Sequence, residues 1–277
     1  MVKEVQKAKA RSLRALHDAG VLVLPNAWDA GSAVLIAQAG AQAIATTSGG
    51  IAWSAGQPDG QRLTRTEMTE HVRRIVTVVD IPVTADVEGG YGYGPEDVAA
   101  TVEAVVAVGA VGLNLEDSRA PGGPLFDPAA QAGRLRAARS AAGRAGLPEL
   151  VINARTDVFL FGIGAAEGRL ADVLLRSSVY AAAGADSLFV PGLVDLEVLA
   201  SLVQASPLPV NVMAGPGAPT VAEFESAGVR RVSVGTGISQ AAYSVAQRAA
   251  TELLTKGTYT ELEGALDFGK INGMFSR

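Results

Sequence analysis

The chain has 277 residues and a net charge of −5, with 48% apolar and 18% charged residues. That balance supplies a large core and excludes a disordered chain, and the acidic sign excludes a nucleic-acid partner, which needs a clustered basic face. With no cysteine there is no thiolate nucleophile, disulfide or Cys-based zinc site. No apolar run approaches the roughly 20 residues of a membrane span and the N-terminus is polar, so a cytoplasmic protein without a membrane partner is expected.

In chain order, short runs rich in Val, Ile and Leu predict strands at Val21–Leu24, Ala43–Thr47, Val83–Asp86, Gly112–Leu115, Leu150–Ala154, Ser187–Val190, Val210–Met213 and Arg231–Val234. Runs this short and continuously apolar suit parallel strands covered on both faces. Helical periodicity fills the intervals, for example Thr66–Val79 and Pro95–Val108, and steps such as Ala39-Gly40 and Ala183-Gly184 mark helix ends. Asp29 is placed to cap the helix starting near Ala30. The few Lys and Arg fall along presumed helices, as do His17 and His71. Eight strand–helix units without a linker predict one α/β domain over residues 1–277, a (β/α)8 TIM barrel. A doubly wound open sheet is the alternative, although such sheets usually have fewer strands.

The polar residues gather at the predicted C-terminal strand ends, where barrels build their active sites. Asn26, Trp28 and Asp29 follow the first strand, and Ser48-Gly49-Gly50 follows the second. Amides of a glycine pair after a strand can bind a carboxylate, or the pair can simply form a turn. Asp86 and Glu88 are two residues apart, which in a regular strand aims both side chains the same way, and Glu116 ends the neighbouring strand. Three such carboxylates raise one another's pKa unless a cation compensates, and an oxygen-only set suits Mg²⁺ or Mn²⁺. The alternative is a structural network with Arg155, the one Arg at a predicted strand end. Its planar fork also matches a substrate carboxylate. Asn211 either orients a substrate oxygen or caps a loop. Asp59, by itself, reads as a turn residue. The glycine-rich loops 215–217 and 235–237 lie where many barrels bind phosphate, but no phosphate-binding motif accompanies them.

Together these stretches resemble the isocitrate lyase and phosphoenolpyruvate mutase superfamily: 24–33, Thr47-Ser48-Gly49-Gly50, Asp86-Val87-Glu88-Gly89-Gly90-Tyr91-Gly92, Leu115-Glu116-Asp117, Asn153-Ala154-Arg155-Thr156-Asp157 and Pro209-Val210-Asn211-Val212. The resemblance runs over essentially the whole chain. It implies that Ser48 with the Gly49 and Gly50 amides binds the carboxylate of a small α-oxo acid. It implies that Asp59, Asp86, Glu88 and Glu116 surround Mg²⁺, with Asp59, Glu116 and Arg155 in the catalytic set and Arg155 and Asn211 facing the substrate's far end. It also implies dimers or tetramers that exchange the last helix, for which 259–277 is the candidate segment.

The departures bear on the reaction. Glu88 stands where the family usually has Asp. The lyases carry a Lys-Lys-Cys-Gly-His loop after strand four, whereas residues 118–126 hold no Cys, His or Lys. The Lys and Asn of phosphonate-cleaving members are missing there as well, and Val190-Pro191-Gly192 replaces a lyase Glu. Decarboxylation of a β-oxo acid tolerates that loss best, because CO₂ leaves without a general acid. The expectation is a Mg²⁺-dependent decarboxylase or carbon–carbon lyase on an oxo (di)carboxylic acid. A phosphonopyruvate hydrolase-like enzyme with Ser118 in the nucleophile's place, or a non-catalytic oxo acid binder, are the alternatives.

Overall fold

The computed structural model describes residues 2–18 and 20–275. Its strands are β1 (Leu22–Leu24), β2 (Asn26–Ala27), β3 (Ile44–Thr46), β4 (Val83–Asp86), β5 (Gly112–Glu116), β6 (Val151–Arg155), β7 (Ser187–Phe189), β8 (Val210–Met213) and β9 (Arg231–Ser233). All neighbours pair in parallel, in the order β1-β9-β8-β7-β6-β5-β4-β3-β2. The two ends of that order, β1 and β2, are halves of one stave. The predicted first strand therefore runs on past Pro25, and the ring is the (β/α)8 TIM barrel. Pro25 has no N–H to donate. Its carbonyl still accepts from Ala45 N–H at 3.3 Å. Asn26 bridges the break, donating to the Thr46 carbonyl at 3.0 Å and accepting from Val234 N–H at 3.0 Å.

Helices alternate with the strands: α1 (Glu4–Leu16), α2 (Ala30–Gln38), α3 (Ser48–Ser54), α4 (Arg65–Thr77), α5 (Pro95–Ala107), α6 (Pro128–Arg144), α7 (Arg169–Ala182), α8 (Leu196–Ala205), α9 (Val221–Ser226), α10 (Gly237–Lys256) and α11 (Phe268–Met274). Asp29 caps α2 as expected, accepting from Ser32 N–H at 2.7 Å. Strand alternation divides the core in two. On β5, Leu113 and Leu115 belong to the apolar layer with Val102, Val105 and Leu135 of α5 and α6. Each such fully buried side chain contributes about 1.5–3 kcal/mol.

On the opposite face of the strands, Thr84, Asn114, Asn153, Ser187, Asn211 and Arg231 form a buried polar layer inside the barrel. Asn153 Nδ2 donates to Asn114 Oδ1 (2.8 Å) and Asn211 Oδ1 (2.9 Å), and Ser187 donates to Asn153 Oδ1 (2.6 Å). Arg231 Nη2 reaches Asn114 Oδ1 from the opposite side of the barrel at 3.1 Å.

Not every helical arginine lies on the surface. Arg134 of α6 and Arg176 of α7 are 1% and 6% exposed. Arg134 satisfies the carbonyls of Gly89, Gly92 and Tyr93, and Arg176 pairs with buried Asp117 at 3.0 Å. The C-terminal segment behaves oppositely. From α10 onward most residues are exposed, including Leu254 at 84% and Phe268 at 82%. Ser276 and Arg277, the end of the segment expected to exchange, lie outside the described residues.

Candidate active site

The mouth is built where β3, β4, β5 and β6 end. Asp86, the last residue of β4, is held from both sides: its Oδ2 accepts from Ser48 N–H at 3.2 Å and its Oδ1 from Glu88 N–H at 3.3 Å. The Thr46 hydroxyl accepts the Asp86 N–H at 2.8 Å. Gly49 and Gly50 are required for this closeness. A β-carbon at Gly49 would lie 2.8 Å from Thr236 Cγ2 and 3.2 Å from Asp59 Oδ2, and one at Gly50 2.8 Å from Trp28 Cβ. Asp59 thus reaches the mouth from an exposed loop.

Glu88 arrives by a different route from the regular alternation that sequence spacing predicts. β4 stops at Asp86, and Glu88 turns into the left-handed region at φ 48° before Gly89-Gly90. Its Oε2 accepts from Gln61 N–H at 2.5 Å and its Oε1 from the Tyr91 hydroxyl at 3.1 Å. Tyr91 N–H in turn donates to Gln61 Oε1 at 2.8 Å. Among the described residues, Gln61, Glu88 and Tyr91 are the non-glycine residues with positive φ, at 56°, 48° and 57°. Such conformations cost of order 1–3 kcal/mol each and persist where surrounding bonds over-determine them. Here the three hold one another.

Glu116 lies one step beyond Asp86 in register, since Asp86 pairs with Asn114 and Glu116 N–H donates to the Glu88 carbonyl at 3.0 Å. Its Oε2 meets Arg155 Nη1 at 3.0 Å, while Arg155 Nε donates to Asp157 Oδ1 at 2.6 Å. Asp157 Oδ2 accepts the Ser118 hydroxyl at 2.5 Å. Arg155 is therefore tied into an ion-pair chain through Nη1 and Nε. Asn211 is not brought to the mouth. It is fully buried, and its amide donates to the Val212 and Arg231 carbonyls and the Ser233 hydroxyl.

The charges do not balance. Burial, then the neighbouring Asp59 and Asp86, raises Glu88 to about 7. Burial also raises Asp86 and carries Glu116 well above the usual carboxylate range, against the opposing pull of Arg155. Burial and Glu88 push the Tyr91 phenol up, so it stays protonated. Arg155 is one cation facing several carboxylates.

A lid borders the mouth through the Ser118–Asp157 bond. Residues 118–125 form a small hairpin, with Ser118 bridged to Leu125, Arg119 N–H donating to the Pro124 carbonyl (3.1 Å) and Phe126 N–H to the Asp117 carbonyl (2.7 Å). It touches the Asp59 loop, because a β-carbon at Gly60 would lie 2.4 Å from Pro121 Cγ. Sequence reasoning missed Gln61, the bond from Tyr91 to Glu88 and the pairing of Ser118 with Asp157. The Gly-rich stretch around Tyr91 was the available signal; nothing marked Gln61.

Comparison with known proteins places this geometry. The family profile described as phosphoenolpyruvate phosphomutase matches residues 13–254. The chain belongs to the phosphoenolpyruvate phosphomutase family. Within this phosphomutase and isocitrate lyase superfamily, an uncharacterized protein of Mycobacterium tuberculosis is 36% identical over 262 residues, 92% of this chain and 96% of that one. The 2-methylisocitrate lyase of Salmonella typhimurium is 30% identical over 88% of this chain and 84% of its own length. An oxaloacetate decarboxylase of Rhodopseudomonas palustris is 34% identical over 65% of this chain and 60% of its own. Among solved structures, a Burkholderia cenocepacia protein provisionally called a lyase/mutase superposes with TM-score 0.92 at 38% identity, covering 99% of this chain and 98% of that one. Oxaloacetate acetylhydrolase with its product oxalate gives 0.85 at 25% identity, covering 97% and 94%. The phosphomutase family chain is thus an enzyme of a lyase and mutase superfamily. Among its described residues no helix is long and apolar enough to cross a membrane.

Proposed function

We propose that the chain is a divalent-metal-dependent decarboxylase or carbon–carbon lyase acting on a small α-oxo dicarboxylic acid. The observation that carries this reading is the unbalanced buried charge at Asp86, Glu88 and Glu116. The donor set fits Mg²⁺ or Mn²⁺: only oxygens, with more negative charge than Arg155 offsets. Among the described residues no three His, Cys, Asp or Glu side chains form a ready-made metal cage. The expected ring of Asp59, Asp86, Glu88 and Glu116 is thus not gathered as a cage, and Mg²⁺ would be bound through one or two carboxylates and several waters. Asp86 with Glu88 or Glu116 would hold it. When bound, the ion supplies positive charge against a developing enolate oxygen.

The chain's own residues do the rest. The Ser48 hydroxyl with the Gly49 and Gly50 amides receives the carboxylate beside the oxo group, while the Ser48 amide holds Asp86. In a β-oxo acid the bond to the departing carboxylate breaks, its electron pair passes to the carbonyl as an enolate, and CO₂ leaves. The enolate carbon then takes a proton; Tyr91, kept neutral, holds one at its hydroxyl. The relatives named for oxaloacetate support this substrate class. Asp86→Ala should lower Mg²⁺-dependent pyruvate formation from oxaloacetate by about 10²–10³-fold while the protein still unfolds cooperatively. Equal turnover and equal Mg²⁺ binding by calorimetry in the variant would sink the assignment.

The Ser118–Asp157 bond favours a second reading, phosphonopyruvate hydrolysis. Asp157 takes the Ser118 hydroxyl proton as the oxygen attacks phosphorus, and the C–P electron pair leaves on the pyruvate enolate, which takes up a proton. Water then frees phosphate from the phosphoserine. Phosphate release from phosphonopyruvate separates the two. We also infer that the exposed apolar side chains of the C-terminal segment, among them Leu254, Tyr259, Leu262 and Phe268, are covered by a second copy that exchanges this segment. Sedimentation should then give a dimer or tetramer; a monomer at micromolar concentration rules the exchange out.

A further inference from the structure

A second cavity lies beside the acidic cluster, under the lid. It measures about 440 Å³, and its walls include Gln61, Tyr91, Tyr93, Ser118, Arg119 and Phe126. Three of these also serve the mouth: Gln61 and Tyr91 bind the Glu88 carboxylate, and Ser118 binds Asp157. Cavity and mouth therefore share a wall. No carboxylate lines the cavity, but two arginines do, Arg65 and Arg119.

The two arginines differ in what they have left to offer. Arg65 is committed: its Nε donates to Thr101 Oγ1 at 2.8 Å, its Nη2 to the Tyr91 and Asp97 carbonyls at 3.3 Å, and the Asp97 carboxylate is 3.7 Å away. Arg119 is exposed and forms no ion pair among the described residues. Its guanidinium carbon rests 5.6 Å from the Tyr93 ring centre and 5.5 Å from that of Phe126. The two rings meet edge to face at 6.2 Å, and Arg134 backs Phe126 at 4.2 Å. An exposed cation on aromatic faces is held weakly and keeps its full charge. The platform fixes Arg119 at the cavity rim without neutralising it.

We propose that this cavity is the subsite for the far end of the substrate, and that Arg119 reads an anionic group there, a carboxylate or phosphate on a chain longer than that of oxaloacetate. The proposal rests on the oxo acid reading of the mouth and names its substrate class. Arg155 is less suited to the task, because Glu116 and Asp157 already take its Nη1 and Nε and offset its charge, and it does not line this cavity. A chain leaving the mouth past Gln61 and Tyr91 enters a space within the usual size range of ligand pockets, lined by rings that suit methylenes and closed by a cation that suits an anion.

The test compares 2-oxoadipate with 2-oxohexanoate, which match in chain length and differ in the distal carboxylate. Calorimetric titration with Mg²⁺ present should show 2-oxoadipate binding about tenfold tighter or more to the wild type, and Arg119→Gln should erase the difference. Equal affinities in the wild type, or an unchanged ratio in the variant, overturn the subsite. If neither oxo acid binds, the reading of the mouth fails, and phenyl phosphate decides the subsite by itself. Phenyl phosphate binding that Arg119→Gln abolishes keeps the subsite; no such binding discards it. Arg119 sits on an exposed hairpin, and matching thermal melts of the two proteins confirm that the variant is folded.

Discussion

Two layers of polar side chains stand one above the other inside this barrel and share β5 and β6, where Asn114 and Asn153 precede Glu116 and Arg155 by two residues. In the lower layer Asn114, Asn153, Ser187 and Asn211 spend their hydrogen bonds on one another, on backbone carbonyls and on the buried guanidinium of Arg231, whose Nε and Nη1 keep no partner among the described residues. In the upper layer Asp86, Glu88, Glu116 and Asp157 gather around Arg155 with negative charge left over. Amides that bond to one another rigidify a core and can absorb a lone buried cation such as Arg231, whereas carboxylates crowded together cost stability unless something binds. The difference teaches that polarity inside a barrel does not mark function. The crowding of like charge at the strand ends does.

Removing the cation of the upper layer should have the largest effect. Arg155→Met leaves Glu116 and Asp157 without their partner and should destabilise the fold by about 3–5 kcal/mol near neutral pH. Glu116 already sits well above its ordinary value, so its ionised form disfavours the folded state and stability is lost as pH rises. Part of the loss should therefore return in denaturant titrations repeated near pH 5. A loss that does not depend on pH would mean the layer is not charge-limited.

In the lower layer, Asn211→Ala should cost about 1–3 kcal/mol, through groups left without partners. If the comparison of layers is right, the damage appears in the denaturation midpoint and not in KM for an oxo acid. A large rise in KM with an unchanged midpoint would return Asn211 to the substrate.

The smallest effect concerns the floor beneath both layers. His17, at the end of α1, is lowered to about 4 by burial and by Arg231, with Asp186 and Asp18 pulling the other way. Its folded value is depressed, so an unfolded chain takes up the proton near 6.5 while the folded one does not. Stability should then fall on the acid side of that value, by roughly 1 kcal/mol at pH 6. His17→Leu should flatten that limb of the pH–stability curve; an identical slope would show that other groups set it.

The sequence made the strands legible because each is short, apolar and followed by turn chemistry, and it marked Asp86, Glu116 and Arg155 because charge at a strand end has few structural excuses. It was silent on Gln61, whose role depends on a left-handed backbone that no residue type signals. It misplaced Glu88 by assuming a strand that had already ended, and left Arg134 among the arginines scattered along helices, with nothing to mark it as buried. Arg231 escaped notice for the opposite reason, sitting at the start of a strand, far from the ends where chemistry is sought. The substitution that empties the lid of Cys, His and Lys was legible at once, yet the Arg119 left behind gains meaning only from the rings beneath it.

Barrels are credited with having no exposed strand edges, and so with resisting the edge-to-edge pairing that starts aggregation. In this one β1 pairs only with β9 and β2 only with β3. Each half of the first stave thus keeps one free side. Those sides are three and two residues long, and between them stands Pro25, which offers an incoming strand nothing to accept. The ring tolerates its own break because the break is too short, and too poor in donors, to recruit another chain.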